Sequence, residues 1–297
     1  MTRIRPRLSG VPETLLWTLY NRAHEAGQRY AVLDDPVALR LMEALDYPFE
    51  ERFGRPNAFY SQLQGLRSRC FDLAVREYLA ERPRATVVAL GDGLETGFWR
   101  VDNGLLNWLS VELPEVAELR RALLPASDRV RVLAGSATDP SWLDEIEDPC
   151  GRGVVVTAQG LLMYLRPPQV RAILAACAER LPGGVMVLDS MGHRAAAHTR
   201  TGRWKVGGMT IPPMRWAMDP GERRKLRGAH PGITEVRALR LPRGRGAMGE
   251  LVRLQSLLPG LRALTPAVTR LRFGDGPCGG GSPNGPGAGN VPGTVPQ

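Results

Sequence analysis

The chain has 297 residues, 43% apolar and 23% charged, which excludes a collagen-like, coiled-coil or wholly disordered polymer and fits one enlarged globular domain. Its formal charge of +9 is local: residues 194–245 hold eleven arginines and both lysines, Lys205 and Lys225, against Asp219, Glu222 and Glu235. Cys70, Cys150, Cys177 and Cys278 form no CxxC pair, and no apolar run reaches the roughly 18 residues of a membrane span, so neither a disulfide framework, a zinc site nor a membrane anchor is expected. A cytoplasmic, soluble protein follows as the expectation.

Along the chain, Leu15, Leu16, Leu19 and Ala23 mark one face of a helix that Gly27 stops. Asp34-Asp35-Pro36 opens a second, short helix, with an aspartate to cap it and a proline in its first turn. Leu63, Leu66, Cys70, Ala74 and Tyr78 repeat at helical spacing and predict a third helix over 61–80. All three precede the first strand, so residues 1–83 are expected to form a helical cap.

From Thr86 the texture changes. TVVAL reads as a strand closed by Gly91-Asp92-Gly93, after which helical spacing resumes. LNWLSVEL, RVRVLAG, GVVVTAQG and GVMVLDS continue as strands, separated by helical segments that open at Pro114, Pro140 and Pro167-Pro168. GITEVRALRL and VTRLRF, with a helical GELVRLQSLL between them, complete the pattern. Continuously apolar strands alternating with helices predict an α/β fold, a doubly wound sheet covered on both faces. The interval 191–231 lacks periodicity and is read as a lid inside a core over 84–273. Residues 274–297 are rich in glycine and proline and too poor in apolar residues to order.

The segment Leu90-Gly91-Asp92-Gly93-Leu94-Glu95-Thr96 directly follows a predicted strand. Glycines there permit a tight turn and let backbone N–H groups approach a ligand at the mouth of the sheet. Thr96 stands where a dinucleotide fingerprint would have its third glycine, which counts against a nicotinamide dehydrogenase. Glu112 ends the second strand, 21 residues after Gly91, where a carboxylate accepts both hydroxyls of a ribose.

LGDGLET, WLSVELPEVAELRRALLP, RVRVLAGSATDPSWLDEI, TAQGLLMYL and LPGGVMVLDS together resemble the leucine carboxyl methyltransferase superfamily, and within it the tetracenomycin-type branch that methylates bacterial polyketides. The resemblance runs from about Glu13 to Phe273. It implies a class I methyltransferase sheet of seven strands with an antiparallel end, S-adenosyl-L-methionine as cofactor, and no metal. It also implies site residues: Arg69 for the methionine carboxylate, Gly91 and Gly93 under the methionine moiety, Glu112 on the ribose, Ser136 and Ala137 beside adenine, and Gln159 at the methionine end. Asp139 is a nearby alternative to Ser136 for the adenine amino group.

Two positions depart from the family pattern. Asp92 stands where a small residue is usual, and its charge would either oppose the methionine carboxylate or pair with the ammonium. Gln159 replaces a glutamate and offers a neutral contact for a charged one. These departures keep open a second reading, a noncatalytic protein of the same fold that binds a nucleoside.

Methyl transfer from a sulfonium chiefly requires positioning of the acceptor and exclusion of water. A carboxylate acceptor needs no base, whereas a phenol, with a pKa near 10, gains from one. Tyr164 and His193 are the candidate catalytic residues, the first for orienting the acceptor or the methyl donor and the second for taking a proton. Arg194, Arg200, Arg203 and Arg215, near Trp204 and Trp216, would clamp an anionic aromatic acceptor. The basic segment lacks the aromatic platforms of a nucleic-acid binder, so a small-molecule acceptor is expected and nucleic acid is not.

Overall fold

A computed structural model of the chain describes residues 3–258 and 265–275. The helices are α1 (Thr14–Ala26), α2 (Pro36–Ala44), α3 (Phe49–Phe53), α4 (Ala58–Glu81), α5 (Gly97–Val101), α6 (Pro114–Leu123), α7 (Pro149–Arg152), α8 (Pro167–Arg180), α9 (His193–Arg200) and α10 (Gly246–Leu257). The strands are β1 (Thr86–Leu90), β2 (Asn107–Glu112), β3 (Val130–Ala134), β4 (Val154–Ala158), β5 (Val185–Ser190), β6 (Lys205–Val206), β7 (Met209–Thr210), β8 (Ile233–Leu239) and β9 (Ala267–Phe273).

One seven-stranded sheet has the order β3-β2-β1-β4-β5-β9-β8. Strands β1 to β5 pair in parallel, and β9 runs antiparallel to both β5 and β8. This is the class I methyltransferase sheet with its antiparallel end. The apolar strands read as buried runs because the sheet is covered twice. Val88, Leu90 and Val156 pack with α8 on one face, while Val87, Ala89 and Val155 pack with α4 and α5 on the other.

Local chemistry explains the cap. The Asp35 side chain accepts the Ala38 N–H at 3.0 Å, so α2 starts as expected. Asn57 caps α4 by accepting from Phe59 and Tyr60. Helix α3 carries no periodic signal in so short a stretch, but Phe49 and Phe53 bury against Tyr20 and Tyr47.

The lid is more ordered than its sequence suggests. It contains α9, the β6-β7 hairpin and a 3-10 helical stretch at Pro220–Ala229. Met191, Ala195, Met209, Ile211 and Met214 share one apolar cluster with Leu15, Leu16, Leu19, Phe49 and Phe53, so lid and cap close over the sheet with a common core. The helix expected after Pro140 is a 3-10 turn, Pro140–Glu145. Cys70 and Cys177 are free and buried, whereas Cys150 is disulfide-bonded. No disulfide framework was expected, and the bond at Cys150 is one that the absence of a CxxC pair did not signal. Among the described residues no helix is long and apolar enough to cross a membrane. The glycine- and proline-rich tail lies outside the described residues from 276 onward.

Candidate functional site

The strand order reverses between β1 and β4, and a cavity of about 400 Å³ opens at the carboxyl ends of these strands. Gly91 and Gly93 line it with φ of 61° and 56°, a backbone region that strains any side chain. A Cβ at 91 would meet Leu161 at 2.9 Å, and one at 93 would meet Leu15 at 3.0 Å. The cap helix α1 and the loop after β4 are thus packed directly onto the turn.

Glu112, at the end of β2, lines the same cavity, and its Oε1 accepts the Gly93 N–H at 2.7 Å. Burial pushes its carboxyl up to about 8. The acid therefore braces the turn while bordering the cavity.

Asp92 lines the cavity and is held from within the protein. Its carboxylate turns to Arg120 of α6, with Oδ2 3.0 Å from Nη2, and lies 3.3 Å from both Trp108 Nε1 and Ser110 Oγ. Burial raises the Asp92 carboxyl against the pull of Arg120. Arg120 also donates to the Gly93 carbonyl, and to the Glu95 carbonyl at 3.2 Å, so one buried guanidinium ties the turn from beneath. The sequence reading passed over Arg120, although a charged residue on the inner side of PEVAELRRALL was a visible signal.

Arg69 is not in the cavity. It is exposed, and its Nη1 donates to the Val32 carbonyl at 3.2 Å. Arg67 lines the cavity instead, because two residues turn a helix by about 200° and place the two arginines on opposite sides of α4. Arg67 is 7% exposed, its Nη1 lies 3.2 Å from Asp189 Oδ2, and its buried Nε has no hydrogen-bond partner among the described residues. Asp189 in turn accepts the Gly160 N–H at 2.7 Å, which fixes the pair to the end of β4.

Beside Arg67 runs a buried ionic network. Glu95 Oε1 accepts from Arg22 at 2.9 Å, Ser68 at 2.6 Å and Gln159 at 2.8 Å, and its Oε2 accepts from Arg100 at 3.0 Å. Arg22 and Arg100 also share Asp35, and Arg100 reaches Asp72 at 2.7 Å. Cap helices α1 and α4 are so joined to the turn after β1. Gln159 and Glu95 both line the cavity.

Ser136 and Ala137 lie at the cavity wall after β3, with the Ser136 and Thr138 hydroxyls 2.8 Å apart. Asp139, the alternative, is exposed and caps the following turn by accepting the Ser141 N–H at 3.0 Å, so it does not reach the cavity. Tyr164 lines the cavity, and burial pushes its phenol up to about 12. The phenol stays protonated at neutral pH.

His193 does not line the cavity. It starts α9 on the outside, 56% exposed, with Nε2 2.5 Å from Glu222 Oε2, and borders a separate surface groove with Trp216. The direction of the chain after β5, which turns its methionine inward and its histidine outward, was not legible. The arginine clamp fails similarly. Trp204, Val206, Ile211 and Met214 of the lid line the cavity, whereas Arg194, Arg200, Arg203 and Arg215 do not. Lid side chains sort by solvation, with apolar groups inside and guanidiniums outside.

By chemistry the cavity lining divides into a polar and an apolar half. The polar half carries Gly91, Gly93, Glu112, Arg67 and Gln159. The other is apolar and aromatic, with Trp17 edge-on to Tyr60 at 5.8 Å, and with Met163, Tyr164 and Trp204. Gln64, one turn before Arg67 and 5% exposed, also borders it and went unnoticed in the sequence.

A family model described as leucine carboxyl methyltransferase matches residues 15–178. The tetracenomycin polyketide synthesis O-methyltransferase TcmP of Streptomyces glaucescens is 35% identical over 186 residues, covering 62% of this chain and 67% of that protein. The S-adenosyl-L-methionine-dependent methyltransferase dpfgK of Gibberella zeae is 29% identical over 180 residues, covering 56% of this chain and 60% of that one. Among solved structures, one described as PigF with SAH aligns over 87% of this chain and 71% of its own, at 12% identity and a TM-score of 0.46.

Proposed function

The chain belongs to the leucine carboxyl methyltransferase family and is a methyltransferase dependent on S-adenosyl-L-methionine, and we propose that it methylates a carboxyl or phenolic oxygen of a small aromatic metabolite such as a polyketide. The observation that carries this is the single cavity in which a glycine turn with Glu112 adjoins an aromatic, apolar half.

The polar half suits the cofactor. Glu112 would hold the ribose hydroxyls, Ser136 and Ala137 would flank adenine, and Gly91 and Gly93 would let backbone approach the amino-acid portion. Arg67, in the role expected of Arg69, has a buried Nε without a partner among the described residues and the forked geometry that a carboxylate matches. Bound there, S-adenosylmethionine supplies an electrophilic methyl group.

The remaining work falls to this chain's own side chains. Trp17, Tyr60, Trp204 and Tyr164 would clasp a flat acceptor and keep water from it. No histidine lines the cavity, and Tyr164 retains its proton. A carboxylate acceptor is therefore favoured over a phenol, since it arrives ionised. Against the noncatalytic reading, Arg120 meets the Asp92 charge and Gln159 donates to Glu95, so both departures from the family pattern have partners within the protein.

Transfer of a labelled methyl group to matched panels of aromatic carboxylic acids and phenols tests this. Labelled methyl esters are expected to dominate. Label confined to ring carbons, with no methyl ester or ether from either panel, would contradict the proposal.

A further inference from the structure

Tyr60, Gln64 and Arg67 line the cavity from one stripe of α4, at the spacing i, i+4 and i+7. With a rise of about 1.5 Å per residue, Gln64 stands about 6 Å along the helix from Tyr60 and about 4.5 Å from Arg67. Tyr60 belongs to the aromatic half of the cavity and Arg67 to the polar half. Gln64 therefore stands at the seam, where acceptor and methyl donor would meet.

Gln64 is 5% exposed, and its Oε1 is buried without a hydrogen-bond partner among the described residues. A glutamine that serves the fold looks different on this same helix. Gln62 accepts the Arg245 N–H at 2.8 Å and donates to the Arg245 carbonyl at 3.0 Å, so both ends of its amide are used. Two threonines that share the cavity wall are also committed to nearby backbone, Thr14 to the Val11 carbonyl at 2.7 Å and Thr18 to the Leu15 carbonyl at 2.9 Å. A buried carbonyl left unpaired destabilises the fold, and folded proteins seldom keep one without a functional reason.

Whatever completes this oxygen must bring a hydrogen. An ionised carboxylate has none to give, so the reacting group of a carboxylate acceptor is not what Gln64 Oε1 binds. A hydroxyl beside that group is a suitable donor. The end torsion of a glutamine is broad, so its amide turns towards such a donor at little cost.

We propose that Gln64 is a specificity-determining residue for the acceptor, its Oε1 accepting a hydrogen bond from a ring hydroxyl next to the carboxylate that takes the methyl group. The inference rests on the reading of the apolar half as the place of an aromatic carboxylate, and it narrows that class to hydroxyaryl acids.

The test is methyl ester formation by the full chain on 2-naphthoate, 3-hydroxy-2-naphthoate and 3-methoxy-2-naphthoate. For the unaltered protein, kcat/KM for the hydroxy acid is expected to exceed that for the other two by roughly five- to tenfold, the size of one hydrogen bond. Gln64→Met keeps the length of the side chain without its amide and is expected to reduce that ratio to about twofold or less. Its affinity for S-adenosylhomocysteine should stay within about twofold and its denaturant midpoint should not fall, because no bond within the protein is lost. Retention of the ratio in Gln64→Met, or its absence from the unaltered protein, overturns the inference. A methoxy acid as good as the hydroxy acid also overturns it, since Gln64 would then be donating. A midpoint that falls in both Gln64→Met and Gln64→Leu would reveal a partner for the amide within the protein and overturn it equally. If phenols are methylated and none of the three acids is, the carboxylate reading itself fails and the inference falls with it.

Discussion

Arg67 and Arg69 show how much turns on the phase of one helix. Leu63, Leu66, Cys70 and Ala74 are buried along the inner stripe of α4, and Arg67 lies on that stripe, so the spacing already held the information that a motif match obscured. Arg67→Ala is expected to weaken S-adenosylhomocysteine binding by roughly ten- to a hundredfold, the loss of a charge-assisted contact. Arg69→Ala, which forfeits only a surface bond to Val32, is expected to leave affinity within about twofold. Equal effects of the two substitutions in calorimetry would contradict the placement. Glu112 adds a pH signature. Burial raises its carboxyl to about 8, and the ionised form is the better acceptor for two ribose hydroxyls. Ligand binding should therefore expel its proton below about pH 8, so affinity rises with pH towards that value and levels above it. Titrations across this range should show the rise in the unaltered protein and a flatter profile in Glu112→Gln. A flat profile in both would remove Glu112 from the site.

Strands and the glycine turn were legible because a buried parallel sheet writes itself as short apolar runs separated by punctuation, as in TVVAL and GVVVTAQG. The cap helices were legible through their stripes. The lid was not, since Trp204, Val206, Ile211 and Met214 reach the cavity from a hairpin and loops that share no period. Side-chain direction was also hidden: Asp92 turned out to face Arg120, and His193 to face Glu222. Ion pairs between distant elements leave no trace in one sequence. The α6 tie has a measurable consequence. Arg120→Met strands the buried Asp92 carboxylate and should cost about 3–5 kcal/mol of stability. Adding Asp92→Asn should recover part of that loss, because the uncompensated charge is gone. Denaturant midpoints report both. A double variant no more stable than Arg120→Met would show that Asp92 is not the partner that matters.

At the scale of the molecule, cap, lid and sheet converge on one cavity, and the positive charge that dominates the composition is kept out of it. Eleven arginines occupy 194–245, yet none of them lines the cavity. What unites the whole is a claim about occupancy: the polar end of the cavity holds an adenosyl group. The structure of the protein soaked or co-crystallised with S-adenosylhomocysteine measures this directly. The account predicts ribose hydroxyls on Glu112, adenine beside Ser136 and Ala137, and the amino-acid end between Arg67 and Gln159. An adenosyl group bound elsewhere, or one whose ribose leaves Glu112 bonded only to Gly93, would contradict it.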